Sequence, residues 1–250
     1  IISKSTYINM FGLSKLWFVF GCLPQYPEFF SKCSTYMFQY LWKNSTECIK
    51  REVLYNHYDL GGIRLTNILL KIKSFQIYHV LLWLNVDYKA KWKSFATYWL
   101  NLSMRTFYPS LTRTDICQSF YMSAFYKSAF DAFREYVEVC EQVPDGMVKV
   151  RMIYWKLLDH QKTIPRVMRM NSNVDYKTSF SMVHAKFNDP NIRSFCWKIV
   201  HDCLPVNFVL GKYNITRNTN CYFCTNVETA KHLFVQCNIG KLVRTKIEVL

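Results

Sequence analysis

Cys221-Tyr-Phe-Cys224-Thr-Asn-Val-Glu228-Thr-Ala-Lys-His232-Leu-Phe-Val-Gln-Cys237 is the stretch on which the reading of this chain turns. Two thiols separated by two residues, then a histidine and a third thiol, supply the soft and borderline donors of a closed tetrahedral zinc site. The spacing has a mechanical sense. Cys-x2-Cys lets a tight turn aim both sulfurs at one point, and Glu228 to Cys237 predicts a short helix that delivers His232 and Cys237 to the same ion. Asn218, Asn220, Thr225 and Asn226 flank the pair with turn chemistry rather than core chemistry, which sets it apart from a chance spacing among ten cysteines. Four protein ligands fill the coordination sphere and leave no water to activate. The implied Zn2+ is therefore structural, and a zinc hydrolase fails on ligand count.

Upstream of the motif, Ile192, Phe195, Cys196, Ile199, Val200 and Cys203 recur at helical spacing and predict one apolar face, with Arg193, Ser194, Lys198, His201 and Asp202 on the other. Leu204-Pro205 ends that helix. Pro205 opens a second, short one through Leu210, which Gly211 stops.

The string Phe195-Cys-Trp197-Lys-Ile-Val-His201-Asp-Cys-Leu204-Pro205, then Leu210, then the four ligands with Glu228-Thr-Ala-Lys-His232-Leu-Phe between them, resembles the zinc-binding domain at the C-terminal end of non-LTR (LINE-type) retrotransposon reverse transcriptases. All four expected ligand positions, Cys221, Cys224, His232 and Cys237, are filled. A second resemblance lies near the start. Asn9-Met-Phe-Gly-Leu-Ser-Lys-Leu-Trp17, Leu41-Trp42-Lys43 and Gly61-Gly62-Ile-Arg-Leu65 are similar to the thumb-like segment that follows the polymerase palm in the same enzymes. There the double glycine is commonly followed by Leu-Gly-Leu or similar, and this chain has Arg64 at the second of those positions. The two resemblances span roughly residues 5–84 and 150–238. They imply a thumb-like segment over 1–86, a helical connecting region over 87–146, and a C-terminal region over 147–250 with the zinc-binding domain at its core, about 180–250.

The periodicities are helical almost throughout, and seven Gly and seven Pro are too few for a loop-rich all-β chain, so the expected class is mainly α. Helices are predicted over 3–22, 29–43, 67–83, 88–101, 115–142 and 148–160. Val143-Pro-Asp-Gly146 reads as a turn and domain boundary, and 163–179 as a basic connector. His79 reads as a solvated or core-edge histidine. Lys89, Lys91 and Lys93, alternating with Trp92, Tyr98 and Trp99, suit either a nucleic-acid backbone or the wet face of a core helix. The acidic stripe Asp131, Glu135, Glu138 and Glu141 reads as a solvated face.

The formal charge of +15 points to a polyanionic partner, nucleic acid before membrane. It is unevenly spread. Residues 43–113 carry +7 and 148–250 carry +10, flanking an acidic block of −4 over 114–147. Closing the zinc loop is expected to bring Lys231 near Arg193 and Lys198, with Lys212 and Arg217 on the connector, assembling a nucleic-acid surface from residues distant in sequence. Ten cysteines without a secretory signal suit a reducing, intracellular compartment, cytoplasm or nucleus. The most apolar run, Leu16 to Leu23, is too short to span a bilayer, so no membrane partner is expected.

Polymerisation needs clustered aspartates to hold Mg2+, and this chain has no adjacent acidic pair and no aromatic-x-Asp-Asp turn. It also has no phosphate-binding glycine loop, so neither an enzyme nor a small-molecule binder is expected. Opening on Ile1 and ending within a helical pattern, it reads as cut at both ends. The resemblance implies a non-catalytic C-terminal fragment that binds structural zinc and RNA or DNA during target-primed reverse transcription, with the rest of the reverse transcriptase polypeptide as its other partner. The competing reading is a decayed or repurposed zinc module that serves only structure or protein interaction.

Overall fold

The computed structural model describes residues 1–24, 26–43, 46–104, 123–140, 148–170, 173–185 and 189–248. The chain is mainly α. Its helices are α1 Ile2–Tyr7, α2 Trp17–Cys22, α3 Pro27–Trp42, α4 Arg51–Tyr55, α5 Ile68–Leu84, α6 Trp92–Met104 and α7 Ala124–Cys140. They continue with α8 Val150–His160, α9 Arg166–Met170, α10 Tyr176–Val183, α11 Pro190–Val200, α12 Asn207–Lys212 and α13 Asn238–Glu248. Among the described residues the β-structure is an isolated antiparallel bridge between Asn220 and Val227. No described helix is long and apolar enough to cross a membrane.

The chain packs as two compact units that are not linear in sequence: residues 3–46 with 64–162, and residues 1–2 and 47–63 with 163–250. We call them the bundle unit and the metal-site unit.

In the bundle unit α5 is the central element, packed by α7 and α8. It buries Ile68, Leu70, Ile72, Ile77, Val80 and Trp83 all round, along with Ser74 and Gln76. A helix apolar on every side belongs inside a core. Its two buried polar side chains are satisfied within the unit, Ser74 donating to the Leu70 carbonyl at 2.6 Å and Gln76 accepting from Ser128 of α7 at 3.2 Å. Asn67 caps it by accepting the Leu70 N–H at 3.2 Å.

The continuous helix expected over 3–22 is broken by a π-helical turn, Ile8–Gly12, and a 3-10 turn, Leu13–Lys15. The wide turn carries Asn9, whose amide donates to the Arg64 carbonyl at 2.9 Å and accepts the Thr66 N–H at 3.1 Å. Arg64 has φ +52°, a left-handed conformation. The position where the resembled family commonly has glycine therefore keeps a backbone that favours glycine. Trp92 stacks on His79 with ring centroids 4.0 Å apart, and Lys93 donates to the Asn85 and Tyr88 carbonyls at 2.6 and 2.9 Å. Two members of the basic-aromatic series are thus structural. The turn expected at 143–146 and Glu141 lie outside the described residues.

The connector expected over 163–179 is corrected to two helices, α9 and α10. Pro165, just ahead of α9, has its carbonyl accept the Arg169 N–H at 3.3 Å, and Asp175 caps α10 by accepting the Thr178 N–H at 3.1 Å.

Candidate metal centre and the basic cleft of its unit

The donor atoms of Cys221, Cys224, His232 and Cys237 all lie within 4.8 Å of one another. Metal bonds of about 2.0–2.3 Å to nitrogen and sulfur give donor-to-donor edges of about 3.5 Å in a tetrahedron. The Cys224 Sγ to His232 Nε2 separation, 3.2 Å, is such an edge. Cys221, His232 and Cys237 are buried, so the site is closed on three sides. The donor set and its spacing fit structural zinc.

Local structure explains the convergence. The Cys221 N–H donates to the Asn226 carbonyl at 2.8 Å and the Glu228 N–H to the Thr219 carbonyl at 2.9 Å, making a tight hairpin-like turn around the first two ligands. The backbone N–H groups of Phe223 and Cys224 donate to the Cys221 sulfur. The helix expected over 228–237 instead starts at Ala230 and widens into a π-helical turn, His232–Gln236, closed by the Cys237 N–H on the His232 carbonyl at 2.7 Å. That i to i+5 turn is what aligns a histidine and a cysteine five residues apart. Backbone N–H donation from Gly240, at the start of α13, holds the Cys237 thiol below its ordinary pKa and favours the thiolate a metal needs. The intervening Tyr222 and Phe223 point outward, 90% and 57% exposed, edge to face at 5.5 Å.

The helix before the site keeps only part of the face expected for it, with Cys203 buried and Ile199 packed against Leu204, Val206 and Val209. Ile192 and Phe195 are exposed, and Trp197 and His201 are buried. Trp197 Nε1 donates to the Gly61 carbonyl at 3.0 Å, and His201 Nε2 lies 2.8 Å from the same oxygen, an acceptor that selects the Nε2–H tautomer. Gly61 has φ +73°, and a Cβ there would meet His201 and Phe180 at 3.0 Å; a Cβ on Gly62 would lie 1.9 Å from the Asn56 carbonyl oxygen. The double glycine is therefore required by close approach as well as by its turn. Burial drives the His201 pKa down to about 4. Gly211 is also corrected: α12 runs through it to Lys212, and a Cβ there would sit 2.6 Å from the Thr219 methyl. It admits the metal-site turn rather than ending the helix.

That turn is tied to α12. Asn207 donates its N–H to the Glu228 carboxylate and its amide to the Asn220 carbonyl, both at 2.9 Å, and the Phe208 N–H donates to the Glu228 carbonyl at 3.1 Å. Lys212 on α12 and Lys231, next to the ligand His232, form part of the lining of one cleft of about 680 Å³. Lys50, Arg166 and Arg169 also line it, and Asp202 supplies its carboxylate. All five cations are exposed, and among the described residues none is in an ion pair. Cys48 and Cys203 line the cleft too. Burial pushes both thiols up, Cys203 to about 12, and the nearby charge of Lys198 acts against that.

Of the five cations expected to form the nucleic-acid surface, Lys212 and Lys231 thus share the cleft, Lys198 acts on its thiols, and Arg193 and Arg217 are outside its lining. Lys50, Arg166 and Arg169, which also line the cleft, were not among the five. Arg166 and Arg169 sit three apart on α9, a spacing that puts them on one helical face; Lys50 is distant in sequence and carries no such signal.

No curated protein and no solved structure gives a significant match. Residues 166–243, about a third of the chain and wholly within the metal-site unit, match the family described as zinc-binding in reverse transcriptase.

Proposed function

We propose that this chain is the C-terminal part of a non-LTR, LINE-type retrotransposon reverse transcriptase, in which the metal-site unit binds RNA or DNA during target-primed reverse transcription and zinc holds one wall of the binding surface. The observation that carries the reading is the cleft: five exposed cations from four separate stretches of chain gather around one carboxylate. Such a concentration of unpaired charge is an electrostatic footprint for phosphates. The family match supports the assignment to a reverse transcriptase. The meeting of the Gly61 carbonyl with Trp197 and His201 supports the thumb-like resemblance, because motifs from both resembled segments converge in one unit. The chain's own role is non-catalytic, since it has no adjacent acidic pair to hold a polymerase's Mg2+.

The test is the salt dependence of binding by the zinc-loaded chain. Each neutralised phosphate releases close to one counterion, so about five contacts give a log–log slope of roughly −3.5 to −4.5. Joint reversal of Lys50, Arg169 and Lys231 to Glu is expected to flatten that slope with helicity and zinc content unchanged. Weak binding with a flat slope in the unaltered chain would refute the reading and leave a zinc module for structure or protein interaction.

A further inference from the structure

We propose that the cleft of the metal-site unit is a single-strand site: it takes an unpaired stretch of polynucleotide, whose phosphates follow its five lysines and arginines while one base stacks on Tyr213. This rests on the nucleic-acid reading above and adds to it the form of the ligand and the residue that reads its bases.

Shape comes first. A cleft of about 680 Å³ lies within the span of roughly 300–1,000 Å³ typical of sites that enclose a compact ligand. A duplex is engaged from outside, by elements that enter grooves about 12 and 6 Å wide, and its stacked pairs do not fit into a concavity of this size. A single strand does fit. Its backbone is flexible, and its bases are free to turn toward the protein.

The arrangement of charge agrees. Lys50 precedes α4, Arg166 and Arg169 lie on α9, Lys212 ends α12, and Lys231 precedes the ligand His232. These stretches line a single concavity, an arrangement that surrounds one phosphodiester chain. Asp202 is the carboxylate set against them.

Two tyrosines line the cleft, Tyr176 and Tyr213, and Tyr213 is the more exposed, at 41%. Its hydroxyl lies within hydrogen-bonding reach of the Cys48 sulfur, at one edge of the cleft. An exposed aromatic face beside a row of cations is the combination by which proteins hold unpaired strands without reading sequence. An acidic peptide would answer the charge but makes no particular use of a flat, partly exposed ring.

The experiment uses the full zinc-loaded chain and fluorescence anisotropy with a labelled 12-nucleotide oligo-dT, the same length of oligo-rU, and a blunt 12-base-pair duplex, with polyglutamate as competitor. Either single strand is expected to bind at least about tenfold tighter than the duplex. Tyr213→Ala is expected to weaken strand binding about tenfold, as loss of one stacked base does. Tyr213→Phe, which keeps the ring, should retain most of it. Lys50→Glu with Arg169→Glu should reduce the single-strand salt slope by about 1.4, two phosphates' worth. Circular dichroism and zinc content establish that each variant is folded. Equal affinity for strand and duplex, or a folded Tyr213→Ala chain that binds normally, overturns the single-strand inference and leaves the nucleic-acid reading standing. Polyglutamate competing as well as oligo-dT at equal charge overturns it in favour of an acidic protein partner. Failure of the unaltered chain to bind any of the nucleic acids overturns both readings together.

Discussion

The bundle unit and the metal-site unit each carry a cleft, of about 740 and 680 Å³, and each lines it with charged side chains. In the bundle cleft Lys73, Lys127 and Arg134 face Asp131, Glu135 and Glu138. Lys73 pairs with Glu135, and Arg134 lies 3.9 Å from Asp131. In the metal-site cleft five cations face Asp202. Net charge by unit would have ranked them the other way: the bundle unit carries +9 (18 basic, 9 acidic residues) and the metal-site unit +6 (14 basic, 8 acidic). Charge that is locally neutralised has no reach in solvent, whereas a smaller excess gathered in a concavity focuses field on what enters it. The footprint of a polyanion is set by placement and pairing more than by a unit's total charge.

The sharpest way to break this contrast is through the metal. Lys231 adjoins a ligand and Lys212 lies on a helix tied to the ligand turn by Asn207 and Glu228, so one wall of the basic cleft depends on the site. Structural zinc contributes an apparent 10–16 kcal/mol in small zinc domains near pH 7. Native mass spectrometry is expected to find one zinc per chain, with Cys224→Ser weakening metal affinity at least about tenfold. Chelation is expected to remove most nucleic-acid binding while the helical signal of α5, α7 and α8 persists. Binding that survives complete removal of the metal would show that the cleft does not need its zinc-held wall.

How much of this was legible in the sequence differs between the two regions for a physical reason. The four ligands were readable because metal chemistry admits few residue types at few spacings, and α5 because a long apolar run with an Asn cap admits little else. The buried face of α11 was legible only at Ile199 and the Cys203 that follows the helix. His201 reads as part of the polar face, and periodicity places Trp197 on neither face; a single acceptor, the Gly61 carbonyl, takes both of their N–H groups. That acceptor lies 136 residues from Trp197, a separation helical periodicity does not cover. The π-turn at His232–Gln236 and the helices α9 and α10 were missed for a related reason, since their start and stop signals consist of polar residues and a proline that also suit loops.

His201 sharpens the contrast by acid. It lines the basic cleft, buried among Trp197, Phe180 and Gly61, and its pKa is depressed to about 4 by that burial. The folded chain therefore binds its proton less readily than the unfolded chain, whose histidine titrates near 6.5. The resulting contribution to stability is complete above about pH 6.5 and falls with pH through the window down to about 4, a loss of about 3 kcal/mol. His201→Gln, which keeps a donor for the Gly61 carbonyl without a titrating ring, is expected to flatten the pH dependence of the denaturation midpoint between pH 6.5 and 4. Metal release at low pH acts on both proteins, so the difference between them reports His201 alone. Superimposable pH profiles would show that the ring is not held neutral.

The smallest expected effect comes from the bundle cleft. Lys127 and Arg134 line it as Lys50 and Arg169 line the other, and their joint reversal to Glu changes the chain's formal charge by the same amount, so long-range attraction falls equally in the two double variants. What differs is local. Phosphates approaching the bundle cleft meet Asp131, Glu135 and Glu138 among its cations, and exposed pairs such as Arg134–Asp131 contribute only about 0–1 kcal/mol to stability, so the reversal also leaves the fold intact. The Lys127/Arg134 variant is expected to bind oligo-dT within about twofold of the unaltered chain near 0.15 M salt, where charges more than about 8 Å apart are largely screened. The Lys50/Arg169 variant should lose at least about tenfold under the same conditions, because it removes two of the phosphate contacts proposed for the cleft. At about 0.01 M salt, where the screening length grows to about 30 Å, the two variants should converge, since overall attraction then dominates. Equal losses at the higher salt would mean that the strand responds to total charge alone, and the distinction between the two clefts would fall.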